Sequence, residues 1–296
     1  MWIPITLAAA TFQILRTARQ HDLRRVLDIV PAGFVRYAYG FPFAVLASIV
    51  TFGVARAELP TPPPRFWPII AGAGVAQILG TIALLRSFRM RDFAVGTVYA
   101  KTEVIIVAVV SAVALGEPLA PLGWISAVVC VIGVAWLAAP DRITDILRLA
   151  GDPAASMGVL AAAGFALAAT GIRAASNSLG DLPTCNRALL TLTVMLGIQT
   201  VVNGAQLAIT DRTGLRSVVT HWRPAIPVGV LSIAGSTCWA VAVTLTDATR
   251  VRTLGQVELV LAFAISAMWL RERHTRPEFV ASAVVLVGIV GVVAFG

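Results

Sequence analysis

Residues Val98–Leu115 read VYAKTEVIIVAVVSAVAL, with one glutamate in the middle of an otherwise almost wholly apolar run. Residues Thr253–Leu270 read TLGQVELVLAFAISAMWL and match the first stretch at a fixed offset of 155 residues, without a gap. Glu103 falls on Glu258, Ser111 on Ser266, Ala112 on Ala267 and Leu115 on Leu270. The same offset carries Trp67 onto Trp222, Gly80 onto Gly235, Asp92 onto Asp247, Glu117 onto Glu272 and Gly133 onto Gly288. The two halves are therefore copies, and both keep a carboxylate inside a stretch long enough to cross a bilayer, which takes about 20 residues of helix. A duplicated apolar segment that retains an acid points to a membrane transporter built from two repeats.

Composition supports this. The chain is 58% hydrophobic and 13% charged, against about 25% charged for an ordinary soluble domain. Its net charge of +8 comes almost entirely from arginine, with Lys101 as the only lysine. These arginines sit mainly between apolar runs, where cytoplasmic loops collect positive charge. No basic face with stacking aromatics is apparent, so nucleic acid is not an expected partner. Cys130, Cys185 and Cys238 lie inside apolar runs without CxxC spacing, and read as small buried residues. Residues 1–15 lack a basic start and a small-residue exit, and read as a first span and not a cleaved leader.

The expected fold is an all-α membrane protein of ten transmembrane helices, arranged as two inverted five-helix repeats. The spans are roughly 2–19, 30–53, 66–86, 93–115, 120–139, 155–176, 183–209, 224–246, 250–270 and 277–295. Pro60 and the Pro62–Pro64 run close the second, because consecutive prolines cannot continue a helix. Gly116-Glu117-Pro118 separates the fourth from the fifth. The resulting domains are 1–141 (first repeat), 142–154 (linker) and 155–296 (second repeat). Five is an odd number, so the second copy enters the membrane from the opposite side, and a solute site is expected near the midplane between copies. Fifteen arginines lie in loops after odd-numbered spans and five in loops after even-numbered spans. That bias places the odd loops in the cytoplasm and both termini outside.

LGEPLAPLGWISAVVCVIGVAWL (115–137) and LRERHTRPEFVASAVVLVGIVGVV (270–293) each open on a Leu-x-Glu turn and carry a glycine about 16 residues past the glutamate. In these motifs, in repeat length and in span count, essentially the whole chain resembles the EamA family of the drug/metabolite transporter superfamily. The resemblance implies export of metabolites, amino acids or drugs, proton-coupled in some members, along a pathway between the two halves. Many members of that family place both termini in the cytoplasm, from which the arginine bias departs.

Charged groups at membrane depth are costly and usually face a bundle interior or a water-filled cavity. Glu103 and Glu258 are the leading candidates to bind a proton or a solute, Glu103 foremost. The bland alternative for each is a structural ion pair with Arg36, Lys101 or Arg187. Lys101 lies two residues before Glu103, about 200° around a helix, and so is not its natural partner. Lys101 aligns with Gln256, and it or Arg36 suits a solute carboxylate. Tyr99, Gln77, Gln256, Trp239 and Arg187, with Asn186 and Asn203, are candidate cavity-lining residues that equally suit helix packing. Gly288 and Gly291 suit either a packing contact or a dimer face.

No GxxxxGK[ST], HExxH or GxSxG motif occurs, and His21, His221 and His274 sit in loops. An enzyme, an ATP-driven pump, a metal site and a cofactor are accordingly not expected. The sequence points to a multi-pass protein of the inner (plasma) membrane, monomer or homodimer. Its partners would be lipid, a small-molecule substrate and, if coupled, protons. Three readings stay open: a metabolite exporter with or without proton coupling, an uncoupled facilitator or multidrug exporter, and a membrane scaffold without transport.

Overall fold

The computed structural model describes residues 1–23, 26–55, 59–90, 98–138, 152–261 and 276–296. Its main helices are α1 (Trp2–Leu23), α2 (Ile29–Ala38), α3 (Gly40–Ala55), α4 (Phe66–Met90), α5 (Glu103–Leu115), α6 (Pro121–Ala138), α7 (Pro153–Asn177), α8 (Thr184–Thr210), α9 (Arg212–Thr220), α10 (Trp222–Leu245), α11 (Ala248–Leu254) and α12 (Arg276–Phe295). Among the described residues there is no strand. A helix satisfies its own backbone, which hydrocarbon requires of a lipid-exposed segment.

Among the described residues, seven helical stretches are long and apolar enough to cross a membrane: Val30–Val54, Phe66–Ser87, Val98–Leu115, Pro153–Asn177, Thr184–Thr210, Trp222–Leu245 and Arg276–Phe295. They coincide with the second, third, fourth, sixth, seventh, eighth and tenth expected spans. The fifth is a shorter apolar helix, Pro121–Leu137. The first is α1, 22 residues long, which carries Arg16 and Arg19 and is not among the seven. The ninth begins with α11 and is described to residue 261; its residues 262–270, with Trp269, and the following Arg271, Glu272 and Arg273 lie outside the described residues. So do Asp92 and residues 142–151 of the linker. Among the described residues seven helices thus meet the length and hydropathy of a span, and the expected count of ten is not confirmed.

Large apolar side chains point outward from these helices, among them Val54, Val113, Ile132, Val201, Ile209 and Val287. A soluble monomer rarely exposes apolar surface on this scale, whereas acyl chains cover it without cost. Trp67 and Trp222, matched by the repeat, are both about half exposed, at 51% and 48%.

Contacts divide the chain into two compact units: Met1–Ile78 with Gly171–Thr246, and Leu79–Thr170 with Asp247–Gly296. Neither unit is a sequence repeat, because each takes helices from both copies, and the division falls inside α4 and α7. In the first unit α1 packs on α10, and α8 packs on α2, α3 and α10. Ser48 and Thr193 share a 2.8 Å hydrogen bond there. Arg173 donates from Nη1 to the carbonyls of Val243 (2.7 Å) and Thr246, satisfying the last turn of α10. In the second unit α6 packs on α12, and α5 packs on α11 and α6.

Glycine contacts in both units obey the repeat. In the second, a Cβ on Gly133 would stand 2.7 Å from Val285 N, and one on Gly288 would overlap the Cys130 backbone. The offset of 155 turns Gly133 into Gly288 and Cys130 into Val285, so these are one contact seen twice. Gly291 meets Ser126 on the same face. These α12 glycines, read from sequence as suiting packing or a dimer face, pack inside the unit. In the first unit Gly74 faces Met195, and Gly229 faces Tyr39 and Gly40; the offset again exchanges the partners. Each contact in one copy thus has its counterpart, with partners exchanged, in the other.

The Gly116 turn forms as its sequence requires. Gly116 has φ +67°, the left-handed region that suits glycine, and Glu117 N donates to Ser111 O at 3.2 Å. This closes α5 with a Schellman-type cap.

Candidate functional site

Both matched stretches lose regular helix geometry just before their glutamate. In the first, a helical turn at 98–100 gives way to a turn at Lys101 and Thr102, and α5 starts at Glu103. In the second, α11 ends at Leu254, a turn covers Gly255 and Gln256, and helix resumes at 257. The hydrogen bonds repeat too. Lys101 N donates to Val98 O (3.2 Å) and Val104 N to Lys101 O (3.4 Å). Gln256 N donates to Thr253 O (3.0 Å) and Leu259 N to Gln256 O (3.0 Å). Each pair is separated by 155 residues, and all four bonds are the i to i−3 type of a tightened turn, which within a helix often marks a functional hinge. The glutamates follow at the first turns of the resumed helices, where the backbone dipole favours a carboxylate.

Glu103 is buried, 7% exposed, and α5 packs against α11. Arg252, on α11, places Nε and Nη2 on the same carboxylate oxygen, Glu103 Oε1. The counter-ion of Glu103 is therefore Arg252, and not Arg36, Lys101 or Arg187 as the structural alternative expected. Among the described residues no hydrogen bond reaches Glu103 Oε2. Gln256, 4% exposed, donates from Nε2 to Arg252 O at 3.1 Å, while its Oε1 is buried without a hydrogen-bond partner among the described residues. Lys101 is half-buried. Tyr99 precedes it on the 98–100 turn and accepts a 2.6 Å hydrogen bond at its carbonyl from Thr102 Oγ1. Glu258 is half-buried. The second unit thus gathers Glu103, Lys101, Tyr99, Gln256 and Glu258 on its two interrupted helices.

The remaining candidates belong to the first unit. Gln77 Oε1 accepts a 2.7 Å hydrogen bond from Gln199 Nε2, which also donates to Gly74 O. Trp239 Nε1 donates to Gln13 Oε1 at 3.1 Å. Arg36 stacks over the Tyr37 ring, 5.1 Å from its centroid. Arg187 Nε, Asn186 Nδ2 and Asn203 Oδ1 are buried without a hydrogen-bond partner among the described residues. No group of histidine, cysteine and acidic residues among the described residues could hold a metal ion.

Sequence reasoning missed Arg252, Gln199 and Arg173. Arg252 falls on Thr97 and Gln199 on Ala44 in the other copy, so the repeat carried no signal for either.

The model of the EamA-like transporter family matches residues 3–139 and again residues 153–294. The chain belongs to the EamA-like transporter family. It is accordingly a multi-pass membrane protein and a transporter of the drug/metabolite superfamily, whose members are transporters and not enzymes. Lipid and a small-molecule substrate are the partners that membership brings. One solved crystal structure, described only as "Crystal structure of protein", aligns with TM-score 0.70 at 14% identity, covering 98% of this chain and 96% of its own. That likeness shows a shared fold. No curated protein matches this chain in sequence.

Proposed function

We propose that the protein is a secondary transporter of the inner (plasma) membrane that exports small metabolites, amino acids or related compounds among them, by alternating access of two inverted repeats. One observation carries this reading: two matched stretches lose regular helix geometry in turns with the same backbone hydrogen bonds, and each has a glutamate in the first turn of the resumed helix. Broken helices free backbone groups and helix ends for a solute or ion at membrane depth, which is how many secondary transporters build their binding sites. Glu103 is the lead residue for solute binding or proton coupling, with Glu258 second. The ion pair favours a second reading, an uncoupled facilitator, because Glu103 already has a fixed positive partner and needs no proton for charge balance.

Flux in proteoliposomes with an imposed pH gradient separates these readings. Coupled export predicts flux that follows the gradient in the parent and is at least about tenfold lower in Glu103→Gln, the loss of about one charged hydrogen bond. Equal flux by Glu103→Gln and the parent would remove Glu103 from the mechanism. Flux unchanged on collapse of the gradient would establish the facilitator.

A further inference from the structure

The stretch between the spans Thr184–Thr210 and Trp222–Leu245 is a short helix, α9, and not a loose loop. With 9 residues it is about 14 Å long, too short to cross hydrocarbon. Joining two spans, it therefore lies at a membrane face. Asp211 starts it, its Oδ1 accepting from Gly214 N (2.8 Å) and Thr213 Oγ1 (2.9 Å). Its inner side is fastened to α2. Gly214 leaves no room for a Cβ against Pro31, Val218 is buried, and Tyr39 Oη donates to Val218 O at 2.9 Å. Its outer side shows Arg212 and Arg216, one turn apart, and Val219, 65% exposed. Arg223 follows at the start of α10, its guanidinium over the Trp222 ring at 5.4 Å from the centroid. Among the described residues no ion pair reaches Arg212, Arg216 or Arg223. Arg212 donates from Nε to Ala208 O at 3.0 Å, and the neighbouring acid, Asp211, is committed to the cap.

We infer that α9 and the start of α10 form a binding surface for the headgroup of an anionic phospholipid. The guanidinium groups of Arg212, Arg216 and Arg223 present planar pairs of donors, which match phosphate oxygens. Val219 on the same outer side and the half-exposed Trp222 suit the zone where headgroups meet acyl chains. A dissolved phosphate would gain nothing from either apolar group, so the combination selects a lipid. A cation that only orients the chain during insertion need not be held in place afterwards. These are held: Arg216 stands on a helix capped at one end and tied to α2 at the other, and Arg223 is stacked on a ring. Because α9 connects α8 to α10 and is fastened to α2, a headgroup bound there braces all three helices, and occupancy reads out as thermal stability. This surface is separate from the helix breaks and does not depend on which solute is carried.

The test melts purified full-length protein in detergent against rising amounts of short-chain phosphatidylglycerol, phosphatidylcholine with the same acyl chains, or inorganic phosphate. Phosphatidylglycerol should raise the melting temperature at concentrations where the other two do not. The double variant Arg216→Gln with Arg223→Gln changes two side chains that bond no helix end among the described residues. It should melt near the parent without lipid and need about 25-fold more phosphatidylglycerol for the same shift, about fivefold for each arginine lost. Arg216→Gln alone, with about a fivefold loss, serves if the double variant does not fold. Arg65→Gln, which removes an exposed arginine just before α4, should respond as the parent does. Equal stabilisation by phosphatidylcholine or by inorganic phosphate, no stabilisation by phosphatidylglycerol, a response unchanged in the α9–α10 variants, or the same loss in Arg65→Gln would each overturn the surface.

Discussion

Glu103 and Arg252 show how one buried charge sets the demands on its neighbours. The carboxylate sits at the first turn of α5, and the arginine reaches it from α11. Removing either partner takes away this charged hydrogen bond, which costs about 1–3 kcal/mol. Arg252→Gln and Glu103→Ala should each lower stability by about that amount in thermal or denaturant unfolding. Lys101→Gln, which copies the residue of the second repeat, should stay within about 0.5 kcal/mol of the parent. A Lys101→Gln variant as damaged as Arg252→Gln would contradict this assignment of the ion pair. The glutamates were legible in the sequence because a carboxylate in an apolar run is conspicuous twice over. The partner was not. Arg252 stands close enough to a span end to count as a loop arginine, and only the packing of α11 against α5 turns it inward.

At the level of elements, the glycines decide how closely helices approach. Gly133 and Gly288 occupy equivalent places, each with the backbone of the opposite helix where a Cβ would lie. Glycine→alanine at either should cost about 1–3 kcal/mol through overpacking, and the two losses should be similar because the contacts are reciprocal. Gly72, with nothing within 4 Å of its Cβ position, should accept alanine within about 0.5 kcal/mol. Melting curves of the three variants check this, and a harmless Gly288→Ala would remove the close α6–α12 packing. The repeat made this glycine pair visible beforehand, but not its use, since packing inside the unit and a dimer face ask for the same small residue. The helix breaks were not legible at all. Neither contains proline, and Lys101-Thr102 and Gly255-Gln256 share no residue type. The break is common to the two copies only in backbone hydrogen bonding.

For the whole molecule, the sequence repeat and the compact units are different divisions of one chain. The repeat records duplication, while each unit interleaves helices from both copies. Span composition made the membrane class readable, and two matched motifs made the family readable. The interleaving was not, because it depends on which apolar faces meet, and apolar faces in hydrocarbon carry little distinguishing pattern. The central claim is that the two copies expose one solute site alternately to the two sides. Counterflow tests it most directly. Proteoliposomes are preloaded with an unlabelled amino acid that stabilises the protein, diluted into a trace of the labelled compound, and followed for uptake. Alternating access predicts a transient accumulation of label above equilibrium in the parent and none in Glu103→Gln. Label that rises only to equilibrium in the parent, at a rate independent of the preload, would contradict the account.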